Sequence, residues 1–407
     1  MEVLYPRCAG LDVHKDVVVA CVRCVSAPVQ QEVRSFRATT SELLNLAEWL
    51  NSCGCTHVAM EATGVYWKPV WHILEEDFEL VLANAAHIKN VPGRKTDVND
   101  ATWIADLLAH GLIRSSFVPP TAIQELRDLT RTRKQLVREM SQHSLRIQKT
   151  LEDANLKLGS VLSNVLGRSG VAMLEAIIQG ETDPEKLADL AQGNARKKRA
   201  ELIEALCGRV TAHHRTMLKF HLDLIRAIQK TLEEVDAAVG KALTSIQERA
   251  QLLTTMPGIS DIAAQVMVAE IGVDMTRFPD PGHLISWAGL CPRNDESAGK
   301  RRSTRVRKGA PWLKTTLVTA AWAAVRTKNS YLQAQFLRIK SRRGAKKAIL
   351  AVAASMLTAA FFMLRDGVAY KDLGADHFSR HDKTKTIQRL LRRLGDLGCN
   401  VAMPQPA

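Results

Sequence analysis

Ala9-Gly10-Leu11-Asp12-Val13-His14-Lys15-Asp16-Val17-Val18-Val19-Ala20-Cys21-Val22-Arg23-Cys24-Val25 is the stretch that decides the fold class. Valine-rich, strand-forming residues stand on either side of a polar turn at His14 to Asp16, which predicts a β-hairpin. Outward from it, Leu43, Leu44, Leu46, Ala47 and Leu50 give residues 41–52 the period of a helix. His57 to Met60 reads as a short strand ending at Glu61, residues 65–74 as a helix, and Glu79 to Ala83 as a further strand. Strands alternating with helices predict an α/β domain. A basic loop, Asn90-Val91-Pro92-Gly93-Arg94-Lys95, then leads into a helix expected over 97–108 with Thr96 as its N-cap.

Pro119-Pro120 marks a boundary, and the next 38 residues contain no Gly or Pro. Leu126, Leu129, Leu136, Met140, Ile147 and Leu151 fall at heptad-like spacings within that stretch. A second stretch places Leu218, His221, Ile225, Ile228, Leu232, Val235 and Val239 at alternating steps of three and four. The two seams predict an antiparallel coiled-coil arm, with His221 as a polar core residue on it. Beyond Ser245, two helices joined at Pro257-Gly258 suggest a helix-hairpin-helix-like element, whose backbone N–H groups suit a phosphate. The expected organisation is an α/β domain over 1–118, a coiled-coil arm over 119–245, an all-α domain over 246–370 and a basic tail over 371–407.

Of 407 residues, 46% are hydrophobic and 24% charged, which excludes a disordered chain, a collagen-like fibre and a disulfide scaffold. The first 120 residues hold 10 Lys+Arg against 14 Asp+Glu, leaving the remainder of the chain with a surplus of 18 positive charges. So uneven a balance points to a polyanionic partner, nucleic acid first. The scattered cysteines and the absence of a secretory signal predict a reducing, cytoplasmic compartment. Ala348 to Leu364 is uncharged for 17 residues, but its alanines, Ser355 and Thr358 predict a buried helix rather than a membrane span. Cys21 and Cys24, three apart on a strand, face opposite sides and make a poor zinc pair. Trp67, Trp71 and Trp103 read as core residues.

Four carboxylates stand out. Asp12 sits near the hairpin turn, Glu61 ends a strand, and Asp97 and Asp100 are three apart at the start of the predicted helix, about 5–6 Å at Cβ. Acids from two strand ends and one helix face can converge, and a hard-oxygen cluster of this kind suits Mg²⁺ or Mn²⁺. Two such ions about 3.5–4 Å apart clamp a phosphodiester for in-line displacement.

The motif order resembles that of the DEDD transposases of the insertion-sequence one-hundred-ten family, relatives of the Piv DNA invertases. The resemblance rests on Gly10-Leu11-Asp12-Val13-His14-Lys15, Met60-Glu61-Ala62-Thr63-Gly64-Val65-Tyr66 and Lys95-Thr96-Asp97-Val98-Asn99-Asp100-Ala101 in the first part of the chain. It continues through Met256-Pro257-Gly258-Ile259, Trp287-Ala288-Gly289-Leu290-Cys291-Pro292-Arg293-Asn294-Asp295-Glu296-Ser297-Ala298-Gly299-Lys300, Lys308-Gly309 and Asp372-Leu373-Gly374-Ala375-Asp376. These motifs run in order over nearly the whole chain.

The resemblance implies a RuvC-like, ribonuclease-H-type N-terminal domain whose acids are Asp12, Glu61, Asp97 and Asp100, and a helical C-terminal transposase domain with a nucleophilic serine. Ser297 best matches that serine. Ala298 departs from the glycine of many members, and Ser303 is the second candidate. Arg94, Lys95, Lys300, Arg301, Arg302, Arg305, Arg307 and Lys308 are the candidate nucleic-acid contacts. The family further implies a composite site shared between subunits of a dimer or tetramer, donor and target DNA as substrates, a non-coding guide (bridge) RNA that sets the integration site, and no membrane. Two alternatives stand beside it: a metal-dependent nuclease similar to a Holliday-junction resolvase, and a non-catalytic nucleic-acid-binding protein.

Overall fold

The computed structural model describes residues 2–25, 29–85, 88, 91, 99–292, 295–297, 299–303, 305–306, 309–380 and 383–399. The chain divides into two compact units, Met1–Val118 and Pro119–Ala407.

The first unit is a mixed five-stranded sheet with helices on both faces. Strands β1 (Arg7–Val13) and β2 (Val17–Cys24) form the expected hairpin. β3 (Gln30–Arg37) extends it antiparallel at the edge. It went unread in the sequence because its residues are polar, and only Phe36 on it is buried. Helix α1 (Thr40–Ser52) leads to β4 (His57–Glu61), parallel to β1. Helix α2 (Trp67–Leu74) leads to β5 (Glu79–Ala83), parallel to β4, and the sheet order is β3-β2-β1-β4-β5. Side chains alternate along the strands. Ala9, Leu11, Val13, Val58 and Met60 therefore bury one face under α1 and α2. Cys8 and Ala59 bury the other under helix α3 (Asp100–Ala109).

The start of α3 corrects the expectation of a helix from residue 97. Asn99, not Thr96, caps it: the Asn99 side chain accepts the Ala101 N–H at 3.0 Å. A short polar side chain at that position satisfies an orphan donor and stops the helix there. Asp97, Thr96 and the basic loop, Val91 apart, lie outside the described residues.

The second unit is almost wholly helical. Helix α4 (Thr121–Asp153) is followed by α5 (Leu158–Val161), α6 (Arg168–Gln179), α7 (Pro184–Asp189) and α8 (Arg199–Ala205), and α9 (Ala212–Leu243) runs back along α4. Contacts between Arg133 and Asp236, His143 and His221, and Asp153 and His214 make α4 and α9 antiparallel. Leu218, Ile225 and Val239 of the predicted seam are buried, and the helix continues through Gly240 to Leu243. Ile147, Leu151, Leu174, Leu202 and Leu218 close a small helical head between the two long helices.

Helices α10 (Gln247–Thr254) and α11 (Asp261–Ile271) follow, joined through Pro257-Gly258, with Ser260 capping α11 by accepting the Ala263 N–H. After α12 (Pro281–Trp287) come a two-stranded ribbon, β6 (Asp295–Ser297) and β7 (Lys300–Ser303), then α13 (Pro311–Ala324), α14 (Tyr331–Arg343) and α15 (Ala345–Asp366). Helix α15 is long and apolar enough to cross a membrane, but its Ile349, Val352, Met356, Leu357 and Phe361 are buried in the second unit, where α10, α12, α13 and α14 pack on it. Two further helices, α16 (His377–Arg380) and α17 (Lys383–Asp396), end the described chain.

Candidate active site

The acidic edge of the first unit is built by backbone register. Leu11 pairs with Met60 across β1 and β4, so Asp12 and Glu61 are the next residues on two neighbouring strands. Neighbouring strands lie about 4.8 Å apart, and paired residues of parallel strands share a face. That face is the one carrying Cys8, Gly10 and Ala59, the side covered by α3.

Gly10 explains how α3 comes so close. A Cβ there would meet the Ala101 carbonyl oxygen and the Ala105 nitrogen at 2.3 Å, so the first turn of α3 lies directly on β1. Asp100, at the first position of α3, is thereby carried to the strand end where Asp12 and Glu61 sit. The positive end of the helix dipole favours anions there. An ion pair between Arg23 of β2 and Asp106 of α3, at 2.9 Å, holds the helix in place.

Two further side chains shape this edge, and the sequence did not single them out. His14 Nε2 lies 3.1 Å from an Asp12 carboxylate oxygen. The Thr63 hydroxyl donates to the Val13 carbonyl at 3.0 Å, tying the loop after Glu61 to the end of β1. Among the described residues, no three His, Cys, Asp or Glu are grouped tightly enough to hold a metal ion. Asp12, Glu61 and Asp100 nevertheless present oxygen donors of the type Mg²⁺ and Mn²⁺ take, on one face at one end of the sheet. The donor chemistry, not a grouped set, is what suits such an ion.

The cysteines do other work. Burial pushes the Cys8 and Cys55 thiols up to about 12, so they stay neutral and pack as small apolar groups.

In the second unit, Ser297 is the last residue of β6, register partner of Lys300 across a turn that includes Gly299. Gly299 has φ +72, the left-handed geometry such a turn needs. The base of the ribbon is fastened by Gly309, where a Cβ would come within 2.5 Å of the Gly289 backbone. This close approach accounts for the glycines of two separate motifs, Trp287-Ala288-Gly289 and Lys308-Gly309. Pro292 and Val306 form a bridge just above it. The Ser303 hydroxyl accepts the Arg305 N–H at 3.2 Å and is committed to a local turn. Lys300 and Arg305 are exposed on and beside the ribbon, and Arg301 and Arg302 are strand residues of β7. Arg94, Lys95, Arg307 and Lys308 lie outside the described residues.

Comparison with known proteins accounts for both units. Residues 9–155 match a family model described as a transposase, that of the IS110 DEDD type. Residues 250–337 match that of the transposase IS116/IS110/IS902 family. Over 308 residues the chain is 27% identical to the insertion element IS110 uncharacterized 43.6 kDa protein of Streptomyces coelicolor, spanning 69% of this chain and 73% of that one. The first match covers Asp12, Glu61 and Asp100, and the second covers the ribbon with Ser297. With both segments present in order on one chain, the protein belongs to the IS110 family of transposases, enzymes that cut and rejoin DNA.

Proposed function

We propose that this transposase moves its element by serine-based strand transfer. Ser297 is the nucleophile, and Asp12, Glu61, Asp97 and Asp100 form a metal-holding cluster in a RuvC-like, ribonuclease-H-type domain. The observation that carries the reading is the register of β1 on β4, which sets Asp12 and Glu61 side by side at the strand ends, under the start of α3. The five-stranded mixed sheet supports the ribonuclease-H-type assignment.

Asp12, Glu61, Asp97 and Asp100 would hold Mg²⁺ or Mn²⁺, whose chemistry is to neutralise charge on the phosphoryl oxygens. The chain's own groups do the rest. The Ser297 hydroxyl gives up its proton and attacks phosphorus. The bond from phosphorus to the 3′ oxygen breaks, and that oxygen leaves as a hydroxyl after taking a proton. The strand is then held as a phosphoserine ester. A 3′ hydroxyl from another strand attacks the same phosphorus, the new phosphodiester forms, and serine is released. One ester replaces another at each step, so no external energy source is required. Lys300, Arg301, Arg302 and Arg305 lie on or next to the same ribbon and supply positive charge for the phosphate. Acids and serine lie on separate units of the chain, which suits a site assembled from more than one subunit, at least a dimer. A guide RNA pairing with donor and target DNA would choose the site, and the basic residues 300–308 suit RNA and DNA phosphates alike.

The test uses purified protein, Mg²⁺, the element's non-coding RNA and labelled donor and target DNA, run on a denaturing gel. A protein–DNA adduct that needs metal and RNA and disappears in Ser297→Ala is expected. Cleavage without an adduct, unchanged in Ser297→Ala, would replace this reading with a resolvase that uses water. An adduct that persists in Ser297→Ala but is lost in Ser303→Ala would move the nucleophile to Ser303.

A further inference from the structure

Away from the acids and the ribbon, one strongly charged surface has no role in the scheme above. Arg127, Arg131, Lys134 and Arg138 recur along α4 at steps of four, three and four, so they share one side of the helix, over about 16 Å. The side they share is met by α11 and, at Trp312 and Thr316, by α13.

The inner half of this stripe is satisfied. Glu270 of α11 is fully buried. Arg131 donates to both its carboxylate oxygens, at 2.8 and 2.9 Å. Arg127 donates to the Ala269 and Glu270 carbonyls at 3.2 and 2.7 Å.

The outer half is not. Among the described residues, neither Lys134 nor Arg138 is in an ion pair with an acid. Each instead faces the half-buried Trp312 of α13, with Arg138 Cζ 5.1 Å and Lys134 Nζ 5.6 Å from the ring centroid. Arg131 Cζ lies 5.8 Å from the same ring. Lys134 has one further partner, the Thr316 hydroxyl at 3.5 Å. Burial and the neighbouring Arg138 push the Lys134 ammonium below its usual range. Three cations gathered on one indole ring, with a single carboxylate already used by Arg131, leave a surplus of positive charge that suits an anion. Arg138 is exposed, so the outer end of the stripe is open to solvent.

We propose that Lys134 and Arg138, set against Trp312 and Thr316, grip the phosphodiester backbone of DNA during strand transfer. The inference rests on the transposase reading, which makes DNA the substrate, and it adds a second contact surface distinct from residues 300–308. Phosphate contacts of this sort fix the position of the duplex and do not read its sequence. Arg127, Arg131 and Glu270 are the scaffold that sets the stripe; Lys134 and Arg138 are the contacts.

The test is the salt dependence of binding, measured by fluorescence anisotropy with labelled duplex DNA and full-length protein. Lys134→Gln/Arg138→Gln is expected to weaken binding equally for unrelated sequences and to lower the slope of log Kobs against log salt by about two. Arg138→Lys alone keeps the charge and should leave the slope within one of wild type. Removing two exposed charges elsewhere, in Lys149→Gln/Lys197→Gln, should leave the slope unchanged, and all variants should melt as wild type does. An unchanged slope in the Lys134/Arg138 double variant overturns the proposal, as does an equal loss in the Lys149/Lys197 control. Loss confined to single-stranded RNA, or to polyglutamate, would also overturn it. Wild-type protein that binds DNA in a salt-dependent manner keeps the transposase reading in force even then; wild-type protein that binds no DNA removes both.

Discussion

The acidic edge of the first unit and the basic stripe of the second are built by opposite means. Backbone places the acids: strand register sets Asp12 beside Glu61, and a glycine lets α3 lie close enough to bring Asp100 to them. Local pairing places the cations: the buried Glu270 carboxylate holds Arg131, the carbonyls of Ala269 and Glu270 hold Arg127, and the rest of the stripe follows the helix. A site set by backbone tolerates side-chain change in its surroundings but not in its ligands. A site set by a buried ion pair has its weak point inside the protein, away from the ligand.

The largest effect expected from this contrast lies at the ligands of the first site. Asp12→Asn keeps size and shape but removes a charge that the proposed metal-holding cluster needs. Metal-assisted charge stabilisation is worth several kcal/mol, so strand transfer should fall by about a thousandfold or more. The melting temperature should stay within a few degrees of wild type, because Asp12 is bonded to His14 rather than to the core. Unfolding of Asp12→Asn would mean the acid is structural and would erase the contrast.

Second in size is Glu270→Ala, where the opposite pattern is expected. Breaking a buried ion pair by removing one partner costs about 3–5 kcal/mol, because the remaining charge is left unpaired. Arg131 loses the carboxylate it is bonded to, and Arg127, whose guanidinium burial already pushes below its usual range, loses the nearby charge while keeping its two backbone carbonyls. Urea denaturation should show the loss, and a variant as stable as wild type would show that the stripe does not depend on Glu270.

These two acids also show what could be read in advance. Asp12 and Glu61 were legible because strand ends and adjacent polar turns announce themselves in the sequence, and β-strand alternation says which side each faces. The hairpin, α1 and the two long helices were legible for the same reason: their apolar periods are strong. Glu270 was not. It sits in Val266-Met267-Val268-Ala269-Glu270-Ile271, an apolar helix with one acid, and nothing local marks its partner 139 residues away on α4. The basic stripe on α4 was hidden by its spacing, because charges at steps of three and four look sparse beside the run at 300–308. β3 was missed because an edge strand buries almost nothing. Asn99 was overlooked as a cap in favour of Thr96, although both are cap formers.

A smaller test probes how the backbone holds the acidic edge. Thr63→Val removes the hydroxyl that donates to the Val13 carbonyl without changing side-chain volume much. One lost intramolecular hydrogen bond costs about 1 kcal/mol. Stability should fall by that amount, and strand transfer should fall several-fold as Glu61 loses its alignment with Asp12. Thr63→Ser, which keeps the hydroxyl, should restore most of the activity. Equal activity in Val and Ser variants would show that register alone is sufficient.

The smallest effect belongs to the helix pair that carries the stripe. His143 of α4 and His221 of α9 face each other with their Nδ1 atoms 3.1 Å apart. A hydrogen bond at that distance needs one Nδ1 to donate and the other to accept, so at least one ring must be neutral. Burial first, then His143 and Arg146, lower the pKa of His221 from its ordinary 6.5. The unfolded chain therefore takes up a proton on His221 at a higher pH than the folded chain does. The stability this provides is fully present above pH 6.5 and is lost as pH falls through the folded value. Thermal melting from pH 8 to pH 5 should show a modest drop in Tm below pH 6.5, with acidic-edge residues uninvolved. His221→Leu fits the apolar seam of Leu218, Leu222 and Ile225 and should flatten that part of the profile. A drop that survives His221→Leu would assign the acid sensitivity to another group.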